Sequence, residues 1–295
     1  MTCECSKMSN SYPNLCVELS DYRLIGIAGV DAASYLQGQL TCDVLKLAIG
    51  EHTLTCHCDP KGKISALFRI YRAAEQQFFM IIHNDLLAEA LVQLKKYAVF
   101  SKVTFTPLTT PLYGVTGHEQ LAKISENSTA LLLNQAQKRA IIWGEDLVTN
   151  GDCSLWDLMD IQDGIPILLK ANQFEFIPQA VNLHAIENAI SFTKGCYMGQ
   201  ETVARAKYRG VNKRAMFTLV GVFDGQVALP QIAESIEILL SENWRATGRI
   251  LMSVVHQHSL WLQVVMNKDI ETNTRFRVNG IELKMCDLPY SIVEG

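Results

Sequence analysis

Runs of apolar residues along the chain change texture three times, and each texture predicts its own elements. Residues 23–28 predict a strand, followed by a short helix through Tyr35 and Leu36 with Asp31 at its N-cap. Residues 54–58 and 64–71 predict two strands reversed by Asp59-Pro60-Lys61-Gly62, with Pro and Gly where a tight turn needs them. A further strand covers residues 78–82. Residues 84–97 form the clearest helix, because Leu87, Leu91 and Leu94, with Ala90 and Ala98, recur at helical spacing. Asn84 or Asp85 supplies its cap. Residues 103–106 return as a strand, so this β-β-α-β grouping predicts helices laid on a mostly antiparallel sheet.

A less regular α/β stretch occupies residues 112–190. Beyond Lys213 helical stripes are scarce, apart from a helical turn expected near 232–240. Residues 216–222, 246–255, 259–266 and 274–278 alternate as strands, which predicts a small β-domain of barrel or sandwich type. The expected class is therefore α+β. The chain divides into a polar, flexible tail at 1–14, an α/β region at 15–212 and a β-domain at 213–295.

With 295 residues and a formal net charge of -4, the chain is no bulk binder of nucleic acid, and any phosphate contact must be local. No apolar run approaches the roughly 20 residues of a membrane-spanning helix. The polar start lacks an apolar signal core, which predicts a cytoplasmic protein without membrane contact. Nine cysteines in a chain of this size are not a disulfide framework, and most are expected to be small buried hydrophobes. Cys3-Glu4-Cys5 and Cys56-His57-Cys58 are close thiol pairs without CxxC spacing. Strand alternation puts Cys56 and Cys58 on one face and His57 on the other, which favours a buried thiol pair over a metal site.

Cys196 stands apart because of its neighbours. Gly195 and Gly199 let the backbone turn sharply around it, and Lys194 brings a positive charge that favours thiolate. Gln200 and Glu201 open a short helix expected through Ala204, whose dipole adds to that effect if its N-terminus faces the thiol. Residues 194–214 hold six cations (Lys194, Arg205, Lys207, Arg209, Lys213 and Arg214) against one acid, Glu201. Such a patch suits a polyanion, either a polyglutamate tail or RNA phosphate met by Arg205, Lys207 and Arg209.

The segment Lys194-Gly195-Cys196-Tyr197-Met198-Gly199-Gln200-Glu201 resembles the signature of the YgfZ family of folate-binding proteins, relatives of the glycine-cleavage T-protein, an aminomethyltransferase. The likeness continues through Val203 to Gly210 and Asn212-Lys213-Arg214. It also covers Phe176-Ile177-Pro178-Gln179 with Asn182, Gln37-Gly38-Gln39 with Asp43, Asp59 with Lys61-Gly62-Lys63, Leu94 to Val103, Asn243-Trp244-Arg245 and Leu288-Pro289-Tyr290-Ser291. It implies a T-protein-like fold: two interleaved α/β parts and a C-terminal antiparallel β-barrel around a central opening. It also implies tetrahydrofolate or a related folate in that opening, and a role in maintaining iron–sulfur enzymes and in tRNA modification. Cys196 would be the functional thiol, with Lys194 beside it.

By the same resemblance, Trp156 and Tyr22 match folate-contacting positions, Tyr22 standing where the family form is Trp. Gln162 stands where the related pattern has Glu, and Gln offers one acceptor oxygen in place of two; Asp163 is the adjacent carboxylate. Asp43 and Lys63 either line the opening or serve as turn and ion-pair residues. The T-protein carries acids on the strand after the Gly62 turn, but here those places are about Ala66 and Leu67, which move no proton. An accessory folate binder is the leading reading. A folate-dependent one-carbon transferase and a partner-binding scaffold are the alternatives.

Overall fold

The computed structural model describes residues 14–133, 138–271 and 273–292. Most of the expected tail, with Cys3 and Cys5, lies outside the described residues. The first half runs β1 (Cys16–Glu18), β2 (Tyr22–Ala28), α1 (Ala32–Gln39), β3 (His52–Cys58), β4 (Ile64–Ala74), β5 (Gln77–His83), α2 (Asn84–Lys96) and β6 (Thr104–Leu108). Next come β7 (Tyr113–Thr116), the one-turn α3 (His118–Leu121), β8 (Thr129–Leu133), β9 (Arg139–Trp143) and α4 (Cys153–Gln162). Three short 3-10 turns lead to α5 (Gln200–Arg209). The last part is β10 (Arg214–Val222), β11 (Ile236–Leu240), β12 (Asn243–Thr247), β13 (Arg249–His256), β14 (Ser259–Asn267), β15 (Phe276–Val278) and β16 (Ile281–Cys286).

These strands make three antiparallel sheets. A central sheet has the order β3-β4-β5-β2-β6, and a second has β1-β7-β9-β8. The inner strands β4 and β5 are largely buried on both faces, which explains their nearly continuous apolar runs. Ile25, Ile27, Ile70 and Phe78 pack with Leu36 of α1 and with Leu86, Ala90 and Leu94 of α2. Leu24 and Ile81 point the other way, toward Leu131, Ile141 and Trp143 of the second sheet and Trp156 of α4. The first described strand belongs to the second sheet and the next to the central one, so the two parts share their beginning.

The third sheet has the order β12-β11-β15-β16-β10-β14-β13. Its two edge strands are neighbours in sequence, separated only by Gly248. An open sheet whose edges are joined by one residue must curl into a barrel-like wall. Gly248 has φ +60°, and a Cβ there would lie 2.8 Å from Val264 Cγ1, so the corner requires glycine. The expected single strand over 246–255 is thus two strands on opposite edges. The helical turn expected near 232–240 is strand β11, because Ile236 and Ile238 alternate toward the barrel interior. Strand β16 was not anticipated.

Two caps differ from expectation. The Asp31 carboxylate makes no bond to α1 and instead accepts from the Lys102 backbone N–H at 2.7 Å. For α2 it is the His83 ring, not Asn84 or Asp85, that accepts from the Asp85 N–H. The buried stripe of α2 is Leu86, Ala90 and Leu94, with Leu87 and Leu91 half-buried at its flank. Helix α5 runs through Arg209, beyond the expected Ala204. No helix among the described residues is long and apolar enough to cross a membrane.

The barrel is joined to the rest by buried amides. Gln263 accepts from the Ile167 N–H at 2.9 Å and donates to Ile165 O at 2.6 Å. Asn182 donates to Met216 O at 2.7 Å and accepts from its N–H at 3.1 Å. Each removes two backbone groups from the unsatisfied state that burial penalises.

On the second sheet, Gly114 lets β7 lie against the Trp156 ring: a Cβ there would sit 2.3 Å from the indole. Gly114→Ala should therefore destabilise the protein by about 1–3 kcal/mol. The lower melting temperature should come with altered tryptophan fluorescence. An unchanged melting temperature would mean that this packing is not tight.

Candidate functional site

A cavity of about 60 Å³ lies where the central sheet, the second sheet and α4 meet. Tyr22 of β2, Leu54 of β3, Leu67 and Arg69 of β4, Trp156 and Asp160 of α4 and the segment 165–168 line it. Of the residues expected at the folate, Tyr22 and Trp156 are on its wall. Trp156 is 2% exposed, with the Arg139 guanidinium 4.6 Å from its ring centre. The Tyr22 hydroxyl donates to Asp157 Oδ1 at 3.1 Å, and its ring meets His83 edge-on at 5.3 Å.

Gln162 and Asp163 are not among the lining residues. Asp163 is buried and accepts from Arg139 Nη2 at 3.0 Å, while Gln162 Nε2 is buried with no hydrogen-bond partner among the described residues. The carboxylate on the wall is Asp160, which also accepts from Arg139 Nη2, at 2.5 Å. Helical spacing was the signal for it. Asp157 and Asp160 of α4 and Asp163 at its C-cap recur every third residue, so they share one side of the helix. The apolar side chain of Leu67 lines the cavity, and Ala66 is fully buried.

Three carboxyls face one cation here. Burial, then repulsion from Asp160, pushes Asp157 up to about 7. Burial pushes Asp163 up to about 6 against the pull of Arg139, and raises Asp160 as well. Across the cavity, Arg69 Nη1 is 2.9 Å from both Glu187 oxygens and from His52 Nδ1. Burial and that guanidinium push His52 down to about 4. Asp21, Cys153 and Asp157 bring ligand-capable atoms within 4.8 Å of one another. Burial pushes the Cys153 thiol up to about 12, so it keeps its proton at neutral pH.

The Cys196 segment is a second place, built on the end of α1 and the β3–β4 turn. Lys194, expected beside the thiol as its cation, has all three N–H donors on backbone oxygens: Gln37, Leu40 and Cys42 at 2.6, 2.5 and 2.7 Å. It thus satisfies carbonyls at the C-terminus of α1. Burial pushes it down to about 8, and its ammonium is 4.7 Å from the Tyr197 ring centre. The Met198 N–H donates to Gly38 O at 3.1 Å. Gly199, at φ +79°, caps α5 so close to the turn that a Cβ would lie 2.6 Å from Asp59 O and 2.9 Å from Gly62 Cα.

These contacts show why the matching segments lie so far apart in sequence. Gln37 accepts from the Val44 N–H and donates to Asp43, Lys63 donates to Glu175 O, and Gln179 donates to Val203 O. Asp43 therefore serves a turn and an ion pair with Lys46, Lys63 holds a backbone carbonyl, and neither is among the cavity's lining residues. Cys56 and Cys58 form the expected buried thiol pair, 3.9 Å apart. His57 is also buried and bonds Ser65 Oγ at 2.6 Å. Of the seven described cysteines, six are buried and only Cys196 is exposed. On α5, Glu201 pairs with Arg205 at 2.6 Å.

A two-part α/β body followed by a curled antiparallel sheet is the aminomethyltransferase T-protein fold. The glycine cleavage system aminomethyltransferase T from Bartonella henselae superposes with a TM-score of 0.66 at 13% identity, covering 98% of this chain and 90% of that one. Residues 212–281 match the model of the YgfZ β-barrel domain. A tRNA-modifying protein YgfZ from Yersinia pseudotuberculosis is 37% identical over 319 residues, covering 97% of this chain and 95% of its own. An uncharacterized Haemophilus influenzae protein is 50% identical, covering 94% and 99%. The chain belongs to the YgfZ family of tRNA-modifying proteins.

Asp157 predicts an unusual pH dependence. Its carboxyl holds a proton up to about pH 7 when folded but loses it near 3.8 when unfolded, so stability falls as pH rises through that window. Asp157→Asn removes this loss. Its melting temperature should exceed the wild type's by roughly 5 °C at pH 8 and converge with it near pH 4. Parallel curves would show that Asp157 ionises normally.

Proposed function

We propose that the cavity holds the pterin end of tetrahydrofolate or a related reduced folate. On this reading the protein is a folate-binding accessory of iron–sulfur and tRNA-modifying enzymes in the cytoplasm, with Cys196 as its functional thiol. One observation carries it: in a chain of this family, Tyr22, Trp156 and the Asp160 carboxylate line one cavity between two sheets. A pterin is flat and presents adjacent N–H donors. It calls for aromatic and apolar walls and for an acceptor with two oxygens.

Asp160 supplies the acceptor that Gln162 was expected to weaken, so the residues fit the group. The volume of about 60 Å³ is far below the roughly 300–1,000 Å³ of ordinary ligand clefts. It takes the edge of a ring, while the remainder of the folate lies outside. A bound reduced folate supplies a carrier for one-carbon units. At the places where the resemblance puts a T-protein acid, Ala66 and Leu67 offer no proton carrier. This favours binding and support over aminomethyl transfer. The exposed arc of α5, with Arg205 and Arg209, is read as the surface that meets RNA.

Titration with tetrahydrofolate should quench tryptophan fluorescence saturably, and Asp160→Asn should weaken binding about tenfold or more, the scale of a hydrogen bond to a charged acceptor. Equal affinity in that variant would remove the pterin from this cavity. Cys196→Ala should keep its melting temperature and its folate affinity, because the thiol is exposed. It should fail to restore tRNA modification in a host lacking its own family member; full restoration would end the role of the thiol.

A further inference from the structure

A larger cleft, of about 550 Å³, lies between the segment leading into the Cys196 loop and α5. Phe192 and Tyr208 line it and meet edge to face, with centroids 6.4 Å apart at 76°. The Lys207 ammonium lies 4.6 Å from the Phe192 ring centre. Tyr208 is 68% exposed. Its ring is therefore available to a visitor. Asp43, Asn188 and Ser191 add hydrogen-bonding groups to the wall.

The wall carries Asp43 and Glu51 with Lys46 and Lys207, and the adjacent helix is rich in cations. Arg205 and Arg209 lie three residues before and one after Tyr208, so the helix turn sets all three on one exposed arc. Lys213 and Arg214 continue the run, and both are exposed. An aromatic pair with a cation over one ring, hydrogen-bonding groups beside it and further cations along the adjacent helix matches the needs of one ligand class. A nucleobase offers a π-face to stack and an edge to bond, and its strand offers phosphates. A polyglutamate would use the cations and leave the aromatic pair idle. An apolar peptide would use the rings and make no use of the cations.

We infer that this cleft receives a single unstacked nucleobase of an RNA strand whose phosphates run along α5. The inference rests on the reading that α5 meets RNA, and it adds where and how the strand is held. Tyr208 and Phe192 provide stacking, Arg205 and Arg209 counter phosphates, and Asn188, Ser191 and Asp43 contact the base edge. Stacking of this kind tolerates any base, so the edge contacts set the preference.

The test is fluorescence anisotropy of a labelled single-stranded oligoribonucleotide with the whole protein, at several salt concentrations. Tyr208→Ala should weaken binding about tenfold without altering the salt slope, and Tyr208→Phe, which keeps the ring, should bind like the wild type. Arg209→Gln should lower the slope by about 0.7, the value for one phosphate contact on a single strand. If Tyr208→Ala binds like the wild type while Arg209→Gln weakens, α5 meets RNA but the cleft takes no base, and the inference falls alone. If the wild type binds no RNA, the reading of α5 and the inference fall together. Tryptophan quenching by tetrahydrofolate, measured on the same samples, should be equal in the wild type and Tyr208→Ala. Loss of quenching together with weaker RNA binding in Tyr208→Ala, with Tyr208→Phe equally impaired in both, would show that the ring supports the fold and does not stack a base, and the inference falls.

Discussion

A guanidinium that is 1% exposed organises the middle of this protein. Arg139 reaches from β9 to α4, where two carboxylates meet its Nη2 and the Trp156 ring lies beside it. A buried cation without such partners would cost several kcal/mol, so β9 and α4 cannot separate without exposing it. The same ion pair aims Asp160 at the cavity and occupies Asp163. Asp157 accepts from the Tyr22 hydroxyl, and its raised pKa follows first from burial and then from the nearby Asp160. The chemistry of the cavity and the mechanics of the sheet junction are thus one arrangement.

The cavity and the Cys196 segment are separate in space but share the β3–β4 hairpin. Leu54, Leu67 and Arg69 line the cavity from the body of the hairpin, and Asp59 and Gly62 at its turn receive Gly199. Between Gly62 and Leu67 the strand spans about 17 Å at its ordinary rise. The hairpin is stiffened by pairing on both strands and by the bond from the Ile64 N–H to Phe176 O. The shared hairpin gives the thiol segment and the cavity one rigid reference, which loops alone would not.

Much of this was legible in the residues because local chemistry was strong there. The Asp59 to Gly62 turn and the α2 stripe announced themselves through backbone preference and periodicity. The Cys56 and Cys58 pair followed from strand alternation. Tyr22 and Trp156 were reached through resemblance, and the cavity joins them. What escaped depended on partners distant in sequence. Lys194 looked like a neighbour of Cys196 because it is adjacent in the chain, yet its charge is spent on the end of α1, some 150 residues earlier. The resemblance marks Gln162 and Asp163, yet Asp160 meets the cavity, because the ion pairs with Arg139, distant in sequence, decide which carboxyl faces it. Residues 246–255 looked like one strand because a lone glycine seldom divides one. Only the clash with Val264 reveals the corner.

The placement of β1 has a consequence for synthesis. Val17 pairs with Gly114, so the first described strand waits for a partner made roughly a hundred residues later. The sheet it joins is incomplete until β9 has emerged. At about 5–20 residues per second, the nascent chain carries an unpaired β1 edge for some seconds, while the neighbouring central sheet can already assemble from β2 to β6. The central sheet can thus close while the first described strand still waits for β7.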